Sequence, residues 1–358
     1  MSNYFEYNDK IAFHPGYYVK EIVDEYGLTQ EDFAKRLDTT PKTLSKLING
    51  EQSLSRDMAL KLSRLIGNSV TFWLNLQSAY DALITEYESA MEMERERHIL
   101  DQLDYNYFRD NYNLPDLPRK KEEQVIAVRE LLGVSSLNVL SKYDMAASFR
   151  SASLQKTTPN IIRSNAMVQI AVNEAMQIDA PKFNKQAFTG AVYYALSLTT
   201  QHDSFYPLIE EAFRNTGVIL IVMPNMKGSK INGATKKIND KIMLMVNDRR
   251  LYSDTFWFTL FHEIGHIMNG DYGMSLEGSD HEKDADDFAK NQLIPQAEYE
   301  NFVHENHSFD VDVIVDFAHN IDRDPGIVLG RLQYEGLVDY KDTRMKMLRT
   351  KYKILTAQ

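Results

Sequence analysis

The sequence predicts a mainly α-helical protein with a small α+β part: an N-terminal helix-turn-helix bundle, followed later by a domain built around a histidine-bearing helix. Residues 27–50 contain two short helical patterns separated by a tight turn, which indicates the bundle. Residues 253–270 form an amphipathic helical pattern that carries the pentapeptide HEIGH. Apolar runs that suit buried strands, such as GVILIVMP and KIMLMVND, lie just before that helix and supply the β part.

The composition limits the classes of protein that fit. The chain has 358 residues, 43% hydrophobic and 25% charged, which is ordinary for a globular protein and enough for two or three domains. It has no cysteine, so a bound metal has to be held by His, Asp or Glu. The net charge of −11 argues against nucleic-acid binding over the whole surface but leaves room for a local basic face. Because no signal peptide or membrane-length apolar run is present, we expect a cytoplasmic protein without membrane contact.

The stretch GLTQEDFAKRLDTTPKTLSKLING predicts the helix-turn-helix. Thr29 is a suitable cap for a first short helix, the turn DTT follows, and Pro41 occupies the favoured first position of a second helix. The second helix ends at Asn49-Gly50. It exposes side chains that are able to reach base edges or phosphates: Lys42, Thr43, Ser45 and Lys46.

Charges around this motif are unevenly distributed. Between residues 35 and 66 the basic residues outnumber the acidic ones, with Lys35, Arg36, Lys42, Lys46, Arg56, Lys61 and Arg64 against Asp38, Glu51 and Asp57. This local excess favours binding of double-stranded DNA. The alternative is a structural helical hairpin whose lysines are simply solvated.

The stretch SDTFWFTLFHEIGHIMNG predicts a helix with one apolar side. Ser253 and Asp254 are suitable N-terminal caps, and Asn269-Gly270 is a typical C-terminal stop. The helix therefore spans the whole HEIGH segment.

His262 and His266 lie one turn apart on the same side of that helix, so both imidazoles can reach one metal ion. Glu263 points to an adjacent side, where it could take a proton from an attacking water instead of binding the metal. This arrangement indicates a zinc hydrolase centre. The alternative is a half-buried helix with two hydrogen-bonded histidines.

A third ligand is expected downstream, in GSDHEKDADDFAKNQLIP. This stretch predicts another helix that stops before Pro295, with Glu282 and Asp286 on its inward-facing side. Two inward acids are costly unless something positive meets them. We therefore expect Glu282 to coordinate zinc and Asp286 to accept the spare N–H of a ligand histidine. His281, next to Glu282, is a rival for the position of third ligand. The alternative to a metal site is that Glu282 and Asp286 are surface acids near a helix N-terminus, where negative charge is favourable.

The N-terminal segment from His14 to Asp81 resembles the lambda-repressor-like (XRE) domain of HigA-type antitoxins. The fragments HPG, LING, MALKLSRLIG and FWLNLQ carry the resemblance. It implies a DNA-binding domain whose contact positions are Gln30, Thr40, Lys42, Thr43 and Lys46.

The later segments FWFTLFHEIGHIMNG and HEKDADDFAKNQLIP resemble the two zinc segments of the ImmA/IrrE family of metallopeptidases. GSKINGATKKINDKIMLMVND is similar to the sheet before them, and DPGIVLGRLQYEGLV is similar to the closing helix. The resemblance implies a zincin-like metallopeptidase domain in which His262, His266 and Glu282 bind zinc and Glu263 is the base.

These patterns predict three regions: a helix-turn-helix domain over residues 1–81, a helical intermediate region over 82–180, and a metallopeptidase domain over 181–358. In the intermediate region only fragments such as AASFRSAS match a family. Gly228, Gly233 and the polar residues between them are expected to form a connecting loop or a short edge strand before KIMLMVND.

The sequence is compatible with two functions. The first is a transcriptional regulator that binds operator DNA and cleaves a partner protein, such as a repressor or toxin, with a zinc endopeptidase. The second is an antitoxin or autorepressor whose metallopeptidase-like half only binds or senses. Reading a palindromic operator would favour a homodimer in either case.

Overall fold

The computed structural model describes residues 3–142, 158–249, 252–276 and 283–352. The chain is mainly helical with a small β part, as predicted; its strands form two small sheets, and it divides into two compact units, Met1–Arg95 and Glu96–Gln358. Among the described residues, no helix is long and apolar enough to cross a membrane.

The first unit is a helical bundle preceded by a β-hairpin. Its elements are β1 (Tyr4–Tyr7), β2 (Lys10–Phe13), α1 (Pro15–Glu25), α2 (Gln30–Arg36), α3 (Pro41–Ile48), α4 (Arg56–Ile66) and α5 (Val70–Leu100). The last of these, α5, continues past the end of the unit, and the predicted boundary at residue 81 falls inside it. The helix-turn-helix prediction is confirmed: Thr29 caps α2, and Pro41 is the first residue of α3.

The core of the first unit holds the two short helices in place. It is built from fully buried side chains that include Phe33 on α2, Leu44 on α3 and Trp73 on α5. Gly16 on α1 lies directly against α3, because a Cβ at this position would be only 1.8 Å from the carbonyl oxygen of Leu47. The HPG segment therefore serves packing: its glycine lets α1 contact the backbone at the end of α3, the second helix of the helix-turn-helix, which corresponds to the recognition helix of such motifs.

The second unit surrounds a four-stranded sheet with helices. Its elements are α6 (Tyr105–Tyr112), α7 (Lys121–Leu132), α8 (Thr158–Gln177), α9 (Lys185–Leu196), α10 (Phe205–Arg214), β3 (Val218–Met223), β4 (Ile231–Ile238), β5 (Lys241–Asn247), α11 (Ser253–Asn269), β6 (Gly273–Leu276), α12 (Lys283–Leu293), α13 (Gln296–Glu305), α14 (Val311–Asn320) and α15 (Pro325–Tyr334). Two 3₁₀ helices cover Leu137–Ser141 and Thr343–Leu348.

The strand order of this sheet is β3-β5-β4-β6. β3 is parallel to β5, whereas β4 is antiparallel to both β5 and β6. Gly228 lies in the connecting loop, as expected, whereas Gly233 lies in an interior strand, β4, so the expectation of a loop or edge strand was wrong at Gly233. The polar residues Lys236 and Lys237 obscured this strand in the sequence, while β6, which follows the HEIGH helix, is the edge beside it.

The HEIGH helix, α11, packs against β4, β5, α12 and α15. Trp257, Leu260, Phe261 and Ile264 are fully buried in the same core as β3 and β5. A helix packed on both sheet and helices keeps its side chains at fixed positions, which a metal or catalytic site requires.

The predicted C-terminal end of α11 is confirmed, whereas the predicted N-terminal cap is not. The C-terminal stop is confirmed, because Gly270 caps the helix in a left-handed conformation. At the other end Tyr252 is the cap residue, and the expectation that Ser253 or Asp254 caps was wrong. Both lie in the first turn and bond to distant residues instead: the Ser253 hydroxyl donates to Asp324 (3.0 Å), and Asp254 accepts from Arg349 (2.8 Å).

A short segment near the end of the chain, residues 349–352, lies along the start of α11. The Ser253 backbone N–H donates to the carbonyl of Thr350 (2.9 Å), and Tyr252 pairs with Lys351 in an antiparallel bridge. The indole N–H of Trp257 donates to the Tyr352 hydroxyl (3.2 Å). The first turn of the HEIGH helix is therefore supported by residues far from it in sequence.

Candidate metal centre and nucleic-acid interface

His262 and His266 face each other across one turn of α11. Their Nε2 atoms are 3.1 Å apart, and both residues are buried, with 8% and 3% of their surface exposed. The structure thus brings the two predicted ligand nitrogens to one point.

The other ring nitrogen of each histidine lies next to a carboxylate. His262 Nδ1 is 2.8 Å from Asp286 on α12, as the sequence predicted. His266 Nδ1 is 3.3 Å from Asp271, which the sequence analysis missed. The sequence signal for Asp271 is its position directly after Gly270, which ends the helix. The turn after Gly270 folds back, and the Asp271 N–H donates to the His266 carbonyl (2.9 Å). An acid directly after a glycine stop therefore returns to the last turn of its helix.

This donor set fits a zinc ion. A proton on each Nδ1, donated to its carboxylate, leaves the lone pairs of both Nε2 atoms directed at each other across 3.1 Å. Such an arrangement is repulsive unless a cation or a shared proton lies between them. Two histidines on one tetrahedral zinc ion have ligand nitrogens about 3.3 Å apart, given Zn–N bonds of about 2.0–2.1 Å. The observed separation is close to this value.

The predicted third ligand, Glu282, and its rival His281 lie outside the described residues. Within the described ranges, which end at 276 and resume at 283, no group of three or more His, Asp or Glu residues is close enough to hold a metal. Asp286 lies on α12 directly after the buried Ala285. Its position depends on the close approach of the two helices at Gly265, where a Cβ would lie 3.1 Å from Ala285 Cα.

Glu263, the predicted base, follows His262 on α11 and is completely buried. It faces β4, while the two histidines face each other and their carboxylates. The site therefore combines two ring nitrogens at one point with a buried carboxylate on the adjacent side of the helix.

The predicted DNA-contact residues lie on and just before α2 and α3. Gln30 is the exposed first residue of α2. Thr40 caps α3: its hydroxyl oxygen accepts from the Thr43 N–H (3.1 Å) and lies 2.9 Å from the Thr43 hydroxyl. These two threonines thus form the start of the recognition helix.

Lys42 and Lys46 are exposed on α3, and in the described part of the chain neither forms an ion pair. Some other lysines of the same unit are paired. Lys35 pairs with Glu31 (2.9 Å), and Lys61 pairs with Asp57 (3.1 Å) and donates to the Asp38 carbonyl. The ammonium groups of Lys42 and Lys46 are therefore available to an outside partner, in contrast to those of Lys35 and Lys61.

Comparison with protein families gives two matches. Residues 19–73 match the Helix-turn-helix family, and residues 219–321 match the IrrE N-terminal-like domain. The first match covers α2 and α3, and the second covers the sheet, α11 and α12.

Individual relatives match the first unit. The HTH-type transcriptional regulator YddM of Escherichia coli (strain K12), described as uncharacterized, is 37% identical over 95 residues, which are 26% of this chain and 99% of that protein. Antitoxin HigA-1 of Vibrio cholerae is 38% identical over 61 residues, 17% of this chain and 57% of that protein. The solved structure of Pseudomonas aeruginosa PA4674 with its operator DNA (28 bp) is 31% identical, covers 22% of this chain and 85% of that chain, and has a TM-score of 0.20.

Proposed function

Because the chain belongs to the helix-turn-helix transcriptional regulators and also carries an IrrE N-terminal-like domain, we propose that it is a DNA-binding regulator whose second unit is a zinc-dependent endopeptidase. Its substrate is a regulatory partner protein, such as a repressor or a toxin. The observation that carries the enzymatic part is the pair of Nε2 atoms 3.1 Å apart, each on a histidine whose Nδ1 lies beside a carboxylate.

The proposed chemistry is hydrolysis of a peptide bond. His262 and His266, with Glu282 as third ligand, would hold zinc, which as a Lewis acid polarises the scissile carbonyl and lowers the pKa of a water. Asp286 and Asp271 keep the ligand rings in the tautomer that presents Nε2. Glu263 takes a proton from the attacking water and passes it to the leaving amine.

The first unit is proposed to place this activity on an operator. Lys42 and Lys46 would contact phosphates, and Gln30, Thr40 and Thr43 would lie near base edges or the backbone. A dimer would match the symmetry of a palindromic operator. We place the protein in the cytoplasm, where its DNA is.

A second candidate function has a specific observation in its favour, namely the similarity of the first unit to antitoxin HigA-1. In that case the protein is an antitoxin or autorepressor, and its metallopeptidase-like unit binds or senses without cleaving. The two functions differ in whether Glu263 is needed.

The Glu263→Gln variant tests the proposal, since the amide keeps the size of the side chain but cannot act as a base. We expect operator binding, zinc content and protein level to stay at wild-type values, while cleavage of the partner stops and an operator-fused reporter is locked in one state. Glu305→Gln, an exposed glutamate at the end of α13, is the matched control. A wild-type reporter response of Glu263→Gln would refute the peptidase and support the second candidate.

A further inference from the structure

Gly233 lies where β4 meets the side chain of Glu263. A Cβ at residue 233 would be 2.6 Å from both Cγ and Oε1 of Glu263, and 2.8 Å from its Cδ. Carbon atoms in favourable contact lie about 3.5–4.0 Å apart, so no side chain fits here without movement. The three nearest atoms all belong to Glu263. The backbone of β4 at Gly233 thus packs directly against the side chain of Glu263.

The backbone at Gly233 is held in place by the strands on both sides of β4. Gly233 is paired with Val246 of β5 and with Ser275 of β6, so its backbone is fixed by two neighbours. The register between β4 and β6 shifts between Ile231 and Gly233, which marks a bulge. The buried side chain of Asn247 secures this bulge by donating to the Ile231 carbonyl (2.7 Å).

Glu263 has equally little freedom. It is completely buried and sits on α11, whose neighbouring residues Phe261 and Ile264 are part of the hydrophobic core. Neither the strand nor the helix can move away without disturbing the sheet or the core. By contrast, a Cβ added at Gly190 on α9 would meet nothing within 4 Å.

We propose that Gly233 is a positioning residue for the catalytic base: the bare backbone of β4 sets where the Glu263 carboxylate lies relative to His262 and His266. This inference rests on the proposed function, because the position of the carboxylate matters for catalysis only if Glu263 acts as the base. It predicts that the position of the base can be changed without removing a metal ligand.

A double-mutant cycle on the full-length protein tests the contact itself. Gly233→Ala should lower the thermal midpoint of the second unit by about 2–12 °C, the range expected for overpacking in a domain of this size. In a Glu263→Ala background the same substitution should cost little, because the atoms that crowd the new methyl group are gone. Gly190→Ala is the matched control and should not lower the midpoint in either background. An equal loss in both backgrounds would overturn the proposal.

A second measurement separates positioning from mere stability. Gly233→Ala should bind Co²⁺ with wild-type stoichiometry, and its visible spectrum should shift in the same direction as that of Glu263→Gln. It should also reproduce the locked reporter state of Glu263→Gln. An unshifted spectrum with a normal reporter response would overturn the positioning role. A normal response of Glu263→Gln would instead overturn the proposed function, whatever the cycle shows.

Discussion

The carboxylates beside the two histidines of α11 differ in their distance from the imidazole ring and in their exposure to solvent. Asp286 is 2.8 Å from His262, whereas Asp271 is 3.3 Å from His266 and its side chain is 57% exposed. A shorter and less solvated contact orients its ring more firmly. We therefore expect Asp286 to contribute more than Asp271 to the orientation of the histidine rings.

We predict that Asp286→Ala weakens zinc binding by about 10- to 100-fold without abolishing it, as expected of a residue that orients a ligand. Asp271→Ala should have an effect of the same sign but smaller size. Competition of both variants with a zinc chelator measures the two affinities. A larger loss for Asp271→Ala would contradict the order given by the distances.

The third ligand is a separate prediction, on a residue outside the described part of the chain. Glu282→Ala should remove stoichiometric zinc, because two histidines alone do not complete a structural or catalytic zinc set. Metal analysis of the purified variant decides this, with His281→Ala as its neighbour control. Full zinc in Glu282→Ala together with loss in His281→Ala would show that the ligand is the histidine.

The DNA interface allows a comparison between paired and unpaired lysines. Lys46→Ala or Lys42→Ala should weaken operator binding and reduce its salt dependence by about one counterion each, since each ammonium group would touch a phosphate. Binding titrations at several salt concentrations measure the slope. Lys35→Ala removes the same charge from α2, but that lysine already pairs with Glu31, so it should change the slope less. Equal effects at all three positions would show that the phosphate contacts are not specific to α3, and no effect of Lys42→Ala or Lys46→Ala would show that α3 does not contact DNA.

At the scale of elements, α1 depends on an unusual cap. His14 Nδ1 accepts from the Gly16 N–H (3.0 Å), which requires that this nitrogen carries no proton. Burial lowers the pKa of the His14 imidazole below its ordinary value of 6.5, and the nearby Asp81 only partly opposes this shift. The stabilising contribution of a histidine with a lowered folded-state pKa is complete above about pH 6.5 and is lost as the pH falls through the lowered value.

We therefore predict that the first unit loses stability as the pH falls below the ordinary histidine pKa of 6.5. Its unfolding can be followed by the fluorescence of Trp73, which is completely buried, in a Trp257→Phe background that leaves Trp73 as the only tryptophan. His14→Asn keeps a capping side chain that does not titrate, so it should show a smaller decline over the same range. A decline of the same size in His14→Asn would assign the pH dependence to other groups.

The elements that the sequence predicted are those with strong local signals. Caps and stops gave α2, α3 and the end of α11, because these depend on residues next to each other in the chain. The hairpin β1–β2 was missed, although its Asn8 and Asp9 both have positive φ, as a tight two-residue turn requires. The helix α8 lies in the region that was predicted to be helical, but its bounds were not predicted. It is buried on nearly all sides, so no apolar stripe marks where it begins and ends.

At the scale of the whole molecule, both families could be predicted, but several contacts of the candidate site could not. His262, Glu263 and His266 lie within one motif, and their shared face follows from helix periodicity. Only the tertiary fold brings Gly233 next to Glu263 and Arg349 next to Asp254. Their sequence positions carry no local pattern, so spacing rules cannot find them.

The contact of residues 349–352 with the start of α11 has a consequence for newly made molecules. A chain emerges from the ribosome from its N-terminus, and domains fold as they become complete. The core of the first unit lies within Met1–Arg95 and can form early, whereas the start of α11 lacks its hydrogen bonds to Thr350 and Tyr352 until these two residues have been synthesised. Under the proposed function, a nascent chain would therefore complete its helix-turn-helix unit before the first turn of the histidine-bearing helix is fully supported, and peptidase activity would begin later than operator binding.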